Sequence, residues 1–415
     1  MFITKHKVFL LQVLKYTITA FGGPQSHLAS IFKNFTKNKD YYSTSEIIEL
    51  NNLCLILPGA TSTQLITLLG YKKGGFKLAI LTFLIWIIPA CFLMGLLSFF
   101  ILNENNSSII IKNLKFIQPM AIGFLLFSTY TIFKVSIKNI TSLVIFIIGF
   151  FFTLTFFKTP WIIPILILLS VIISIFTQKQ EFEKTKTTRK KVNYKFLFLF
   201  LGIFILSGYL SERSRVNSWE NRKIFNLFEN FYRFGSIVFG GGDVLIPLMI
   251  DQYIERPTTH KQSINKAESI KLNKETILNG YGIVKAIPGP IFSISSFIGG
   301  ISLSDKGKLM QVLGCIIASI AIFIPSFLII LFVYPFWENI KFNNLIIKST
   351  QGINAVVVGI MLASAAYLLK TGNYNINYPS IINIIIIFST FFLLIKTKTP
   401  PSLIVLLCIV LGLIF

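Results

Sequence analysis

The chain has 415 residues, 53% of them hydrophobic and only 13% charged, with a mean hydropathy of +0.72. A water-soluble fold of this length needs far more polar surface, so a globular cytosolic enzyme is excluded and a polytopic membrane protein is expected. The formal net charge of +23 flanks apolar runs and forms no nucleic-acid-binding module; it suits the basic cytoplasmic loops of a lysine-rich membrane protein as well as it suits a protein that handles anions.

Residues 1–25 carry Lys5 and Lys7 ahead of an apolar stretch without a small-residue cleavage site, so the first helix is expected to be retained. Apolar runs follow at 8–31, 52–70, 77–102, 114–134, 141–157 and 160–177. A basic stretch with Lys179, Lys184, Lys186, Arg189, Lys190 and Lys191 leads to a lone, short run at 196–210. A second series occupies 230–250, 277–300, 309–335, 348–370, 379–395 and 400–415. By the criterion of ~20 apolar residues per crossing this makes about thirteen spans. The expected fold class is an all-α polytopic membrane protein.

The two series correspond point by point. KYTITAFGGP at Lys15–Pro24 matches RFGSIVFGGG at Arg233–Gly242. Leu57-Pro58-Gly59 matches Ile287-Pro288-Gly289, and Gly70 matches Gly300. Pro89 matches Pro325, Ala121-Ile122-Gly123 matches Val357-Val358-Gly359, and Lys134 matches Lys370. Lys158-Thr159-Pro160 recurs as Lys398-Thr399-Pro400. An ordered series of this kind indicates an internal duplication. We expect an N-terminal transmembrane repeat at 1–178, a basic linker with a connecting helix at 179–217, and a C-terminal repeat at 218–415, each repeat with about six transmembrane segments and broken helices.

If 196–210 crosses, the copies are inverted. Lys5 and Lys7 then place the N-terminus inside, and the basic linker 179–195 and the loop 251–276 also fall inside. Lys33, Lys37 and Lys39, and Arg213, Arg215, Arg222 and Lys223, would fall outside, against the rule. The alternative is parallel repeats joined by a surface-lying helix.

Breaks at matching places in two halves of a membrane protein point to a transport site. Pro removes a backbone donor and Gly lets the chain bend. The segment after Pro58-Gly59-Ala60 is a fresh helix start. Its first amides lack intrahelical partners and its dipole favours an anion. Thr61, Ser62, Thr63 and Gln64 add polar groups there; the competing reading is a kink whose hydroxyls bond back to the helix. In the second copy, Pro288-Gly289-Pro290 is followed by Ser293, Ser295 and Ser296. Gly22-Gly23-Pro24 and Gly240-Gly241-Gly242 serve either close helix packing or an unwinding whose amides face a substrate. His27 follows the first break and is either a relay or donor, or an interfacial residue. Asp243 is a candidate for proton coupling, or a helix cap. Lys15, Arg233 and Lys285 are candidates to supply charge to an anion, or snorkelling anchors.

No Walker loop, metal-binding His pair or Gly-x-Ser-x-Gly elbow is present. Cys54, Cys91, Cys315 and Cys408 show no metal or disulfide spacing. No catalytic residue, metal or cofactor is expected, and active transport would draw on an ion gradient or the membrane potential.

These motifs resemble the chromate ion transporter (CHR) family. Phe21-Gly22-Gly23-Pro24 with His27, and Pro58-Gly59 with Ser62-Thr63-Gln64, match the family pattern in its N-terminal half. Phe239-Gly240-Gly241-Gly242 with Pro247, then Pro288-Gly289-Pro290, match its C-terminal half. The likeness covers nearly the whole chain, in the long two-domain form. Ala60 departs from it, standing where the family has Pro. The resemblance implies chromate transport across the cytoplasmic membrane, typically outward. The expectation is a multi-pass secondary transporter of a tetrahedral divalent oxyanion, chromate or sulfate. Its partners would be that anion and the lipid bilayer, not nucleic acid, with a homodimer as an allowed assembly. A sulfate importer or exchanger, an anion channel and a membrane scaffold are the rival readings.

Overall fold

The computed structural model describes residues 2–21, 24–37, 41–101, 114–156, 162–177, 194–239, 241–255, 270, 272–337, 344–371, 378–397 and 399–414. Every regular element among them is a helix. The first half contains α1 (Phe2–Thr19), α2 (Pro24–Phe32) running into a π-helical turn at Lys33–Lys37, α3 (Thr44–Ile56), α4 (Thr61–Ile101), α5 (Ile117–Ser136), α6 (Ile140–Thr155) and α7 (Ile162–Thr177). A connecting helix, α8 (Lys195–Val216), follows. The second half contains α9 (Arg222–Ile237), a 3₁₀ turn at Gly242–Val244 leading into α10 (Leu245–Ile250), and a π-helical turn at Asp251–Glu255. It continues with α11 (Lys274–Val284), a 3₁₀ turn at Ile291–Ser293 leading into α12 (Ile294–Leu303), α13 (Lys308–Val333), α14 (Asn344–Thr371), α15 (Tyr378–Lys396) and α16 (Pro401–Ile414). The order of elements repeats, down to the π turn that ends α2 and the one that follows α10. The basic linker foreseen at 179–195 falls largely outside the described residues, and α8 extends beyond the foreseen 196–210 at both ends.

The four segments that carry the Gly and Pro motifs fold back on themselves. Gln12 on α1 donates from Nε2 to Asn34 Oδ1 at 2.9 Å, and the Phe9 and Phe35 rings meet at 5.8 Å, so α1 and α2 form an antiparallel hairpin with its tip after Phe21. Lys72 pairs with Glu46 at 2.5 Å and Tyr42 Oη donates to Leu69 O at 2.5 Å, so α3 and the start of α4 form a second hairpin with its tip at Pro58-Gly59. In the second half Arg233 donates to Gln252 Oε1 at 2.9 Å across α9 and the α10 segment. Gly280 on α11 lies against the Phe297 ring of α12. The runs 8–31, 52–70, 230–250 and 277–300 are therefore helical hairpins rather than straight rods. Apolar composition reports immersion, not direction, and a hairpin of two half-length helices has the same composition as one crossing.

α4 itself is two arms. Gly74 and Gly75 leave helical geometry, Gly75 at φ 70°. The second arm returns along the first, with Trp86 Nε1 donating to Thr63 Oγ1 at 3.0 Å and Gly70 set against Thr82. The 3₁₀ turn Ser304–Lys306 and Gly307, at φ 99°, do the same between α12 and α13, where Gly299 and Gly314 touch backbone to backbone.

The remaining helices surround these hairpins. α14 packs on α5, α6 and α7 of the first half, and α15 packs on α5. Small residues make the close crossings: Gly352 meets the Ser170 carbonyl and Gly359 the Phe146 carbonyl. This is how helices associate where lipid removes the hydrophobic drive. Large apolar side chains face outward, among them Phe92, Phe151, Leu168, Phe198, Phe388 and Leu406, as a multi-pass membrane protein requires.

Candidate functional site

The four hairpin tips meet, and they meet crosswise. Gly59 N–H, in the Pro-Gly tip of the first half, donates to Val238 O beside the Phe-Gly tip of the second, at 2.7 Å. Gly289 N–H, in the Pro-Gly tip of the second half, donates to Ala20 O beside the Phe-Gly tip of the first, at 2.9 Å. Each glycine sits at positive φ, 115° for Gly59 and 125° for Gly289, which L side chains rarely adopt. A Cβ on Gly59 would stand 2.1 Å from Ser326 Oγ, and one on Gly289 would stand 2.6 Å from Ala90 Cβ. Ala90 and Ser326 are themselves equivalent, each following the matched proline Pro89 or Pro325. The second helix of each hairpin starts at this crossing, so helix N-termini converge on it.

Between the tips lies a small, partly open pocket lined by His27, Ala60, Thr61, Ser62, Gly241, Gly242, Pro290, Ile291 and Phe292. Both halves contribute. His27, buried on the first turn of α2, shares a 2.9 Å hydrogen bond between Nδ1 and Ser62 Oγ. Its Nε2 is buried and makes no hydrogen bond of standard geometry, with the Ala20 carbonyl near the ring. If Ser62 donates to Nδ1, the tautomer places a proton on Nε2, ready for an acceptor. The imidazole stands edge-on to Trp86, which stacks on Tyr16 at 4.8 Å. Ala60 N–H donates to Ser326 Oγ at 2.9 Å, and Gln64 Nε2 closes the tip on Pro58 O at 2.8 Å.

The structure sorts the residues singled out from sequence. His27, Ser62, Gly241, Gly242 and Pro290 line the cavity, and Pro24 starts the helix that carries His27. Pro58, Gly59, Pro288 and Gly289 form the crossed tips. Ser293 lies beside the lining residue Phe292, buried, with no partner for its hydroxyl. Thr63 turns toward Trp86 instead, and Gln64 is spent on the tip. Gly22, Gly23 and Gly240 lie outside the described residues. Lys15 is exposed on α1 and does not reach the cavity. Arg233 is held by Glu229 at 2.7 Å, Asn230 Oδ1 at 2.9 Å and Gln252 Oε1 at 2.9 Å. Lys285 and Asp243, 42 residues apart, form a buried ion pair at 2.5 Å, and Tyr281 Oη donates to the same carboxylate oxygen at 2.5 Å.

Sequence reasoning missed Ser326, Tyr281, Trp86 and the two accepting carbonyls. Only Ser326 left a trace, as a small polar residue next to the matched prolines. No charged side chain lines the cavity itself. Its polar lining consists of helix starts, hydroxyls and an imidazole, groups able to donate hydrogen bonds to a compact oxyanion. Among the described residues no group of His, Cys, Asp or Glu could hold a metal ion.

The chain is similar to an uncharacterized transporter of Methanocaldococcus jannaschii, 24% identical over 409 residues, which covers 97% of this chain and 92% of that one. It is also similar to a probable chromate transport protein of Synechococcus elongatus, 20% identical over 414 residues, which covers 97% of this chain and 93% of the other. No solved structure matches. Residues 8–175 and 225–413 each match the chromate transporter family, so the match falls separately on the two halves and leaves α8 between them. The chain belongs to the chromate transporter family.

Proposed function

We propose that this protein is a secondary active transporter that binds a tetrahedral divalent oxyanion between its crossed hairpin tips and exports it, chromate being the favoured anion, across the cytoplasmic membrane. The observation that carries the reading is the convergence of helix starts from both halves on one donor-lined cavity. His27 Nε2–H, oriented by the Ser62 hydroxyl, the Thr61 hydroxyl, the Thr61 and Ser62 amides, and the Gly241–Gly242 backbone are the proposed ligands. Ser293 and the segments at Gly22–Gly23 and Gly240 are the proposed flank. Sulfate has the same shape and charge, so it is the natural competitor.

We further propose that the repeats, 1–178 and 218–415, are inverted. Contacts at the helix ends support this. His6, Tyr71, Lys72 and Lys73 lie with Tyr41, Phe196, Glu46 and Tyr334, and Ser174 with Lys348. Lys223, Glu220, Glu255 and Lys274 lie with Asp305, Lys306, Tyr367 and Leu368. α13 runs from the second group to the first, 26 residues or about 39 Å. The hairpins of the first half thus open toward one face and those of the second toward the other. With the N-terminus inside, Lys33 and Lys37 now fall inside too, removing one conflict with the positive-inside rule. The π turn at Asp251–Glu255 and the start of α11 at Lys274 then fall outside.

Inside-out vesicles loaded by an imposed potential test the function. Labelled chromate should accumulate in vesicles bearing the chain, unlabelled sulfate should compete, and His27→Phe, which keeps a ring against Trp86, should lower uptake at least about tenfold, the loss of one hydrogen bond to a charged ligand. No movement of either anion sinks the proposal. Flux that fails to saturate marks a channel.

A further inference from the structure

One buried feature beside the cavity is unexplained by binding alone. Asp243 follows the lining residue Gly242, and its charge and that of Lys285 cancel. The side chains keep 6% and 4% of their surface. Tyr281 donates to the carboxylate, and Ser128 on α5 brings a hydroxyl to it. The rings of Tyr281 and Phe124 stand 4.9 and 5.8 Å from Lys285 Nζ. Among the described residues, the other elements packed on the Gly242–Val244 turn bring no opposing charge: the 3₁₀ turn at Ile291–Ser293 offers the Ser293 hydroxyl, and the cations of α14, Lys348 and Lys370, sit toward its ends. His27 is within electrostatic reach of Lys285.

Fold stability does not account for the pair. A buried ion pair is commonly no better than apolar residues of the same volume. The first half builds the same hairpins with Gln25 and Leu55 at the equivalent positions. At the position equivalent to Ser128, Ser364 bonds only its own helix, to Ile360 O at 2.7 Å. The charges belong to one half only, next to a site otherwise made of uncharged donors.

We propose that Asp243 is a proton-linked counter-ion for Lys285. Ionised, it cancels the ammonium. Protonated, it leaves that ammonium uncompensated beside the cavity, and the oxyanion becomes its partner. The proton goes from water in the cavity to the carboxylate oxygen; Lys285 stays charged throughout. The inference rests on the oxyanion reading above. Its sign is definite: adding a positive charge strengthens anion binding, and by linkage the anion strengthens proton binding. Proton and anion load together and travel together. A dianion with one proton still carries a net charge of −1, and an inside-negative potential drives that outward by about 2.3 kcal/mol per 100 mV. Export would therefore run on the membrane potential, and an inward proton gradient would oppose it.

The test uses the full chain in lipid nanodiscs, weakly buffered, with a pH indicator. Sulfate and chromate are added from acid to alkaline pH, and the proton taken up by chromate itself is subtracted with a protein-free blank. The expected result is uptake of up to one proton per anion bound, with affinity rising as pH falls. Asp243→Asn should abolish the uptake and bind the anion at alkaline pH about tenfold or more tighter than the parent. Lys285→Gln should bind about tenfold or more weaker, without pH dependence. Anion binding without proton uptake, or with proton release, overturns the inference and leaves the oxyanion reading standing. Uptake that survives Asp243→Asn but disappears in His27→Phe assigns the proton to the imidazole and also overturns it. Failure of both anions to bind at any pH removes the oxyanion reading and this inference with it. If Asp243→Asn does not fold, the proton count on the parent decides.

Discussion

The two halves share a skeleton and divide the chemistry. Both fold two hairpins, both end a tip-starting helix in a π turn, and both lend a glycine N–H to a carbonyl of the other half. Side chains at the tips differ. The first half supplies His27, Thr61 and Ser62, uncharged and donor-rich; the second supplies Gly241, Gly242 and Pro290, backed by the Asp243–Lys285 pair. What recurs is what the backbone crossing demands. What does not recur is available for recognition and charge.

If the crossing is the common requirement, its glycines are the residues whose loss does most harm. Gly289→Ala should be the worst substitution in the chain. It adds the strain of positive φ and a clash with Ala90 Cβ, which has no rotamer to escape through. The cost is about 2–6 kcal/mol. Gly59→Ala carries the same strain but meets Ser326 Oγ, a group that rotates away at the loss of one hydrogen bond. Thermal unfolding in detergent should rank Gly289→Ala below Gly59→Ala, and both below the parent. Equal, mild effects would show that the crossing is not what the duplication preserves.

A sharper probe lies in the one place where the crossing itself is unequal. Pro290 has no N–H, and opposite it stands Ala90, without a hydroxyl. Ala60 keeps an N–H, and opposite it stands Ser326, whose Oγ accepts that proton. The departure of Ala60 from the family pattern is thus matched by its neighbour. Ser326→Ala should cost about 1–3 kcal/mol by leaving a buried donor unpaired. In an Ala60→Pro background the same change should cost close to nothing. A double-mutant cycle with no coupling would break the correspondence.

Much of this was legible before any coordinates. The Pro-Gly pairs mark tips because Gly59 and Gly289 sit at positive φ, where other residues are strained, and the duplication follows from the matching flanks. Direction was not legible: a Pro-Gly in a long apolar run breaks a helix whether the chain then continues or returns. Nor was pairing. Lys15 and Arg233 occupy the same place in the two copies, yet one is exposed on α1 and the other is held by Glu229 and Gln252. Asp243 reads from sequence as a coupling candidate or a helix cap and Lys285 as a charge supplier or a snorkelling anchor, and only the fold shows that they neutralise one another.

The smallest expected difference between the halves lies at the open ends of their hairpins, where the described residues include the ion pairs Lys72–Glu46 and Lys223–Asp305. Lys72–Glu46 is exposed on both sides, at 36% and 39%. Lys223–Asp305 buries its lysine to 6% while Asp305 stays 56% exposed. An exposed pair contributes about 0.2–1 kcal/mol, so Glu46→Gln should lower the melting temperature only slightly, with part of that loss due to the broken capping box at Ser43. Asp305→Asn strands a buried ammonium and should cost more, about 1–3 kcal/mol. The pH dependence of the weaker pair has a fixed sign. The hydrogen bond from Lys72, then that from the Ser43 N–H, holds the Glu46 carboxyl below its usual value. Its contribution is therefore present above the unfolded-state value and is lost as pH falls through the folded one. Glu46→Gln should remove that acid-side slope from the melting temperature and leave the alkaline side unchanged. A variant that keeps the slope would show that Glu46 fastens nothing at this end of the hairpin.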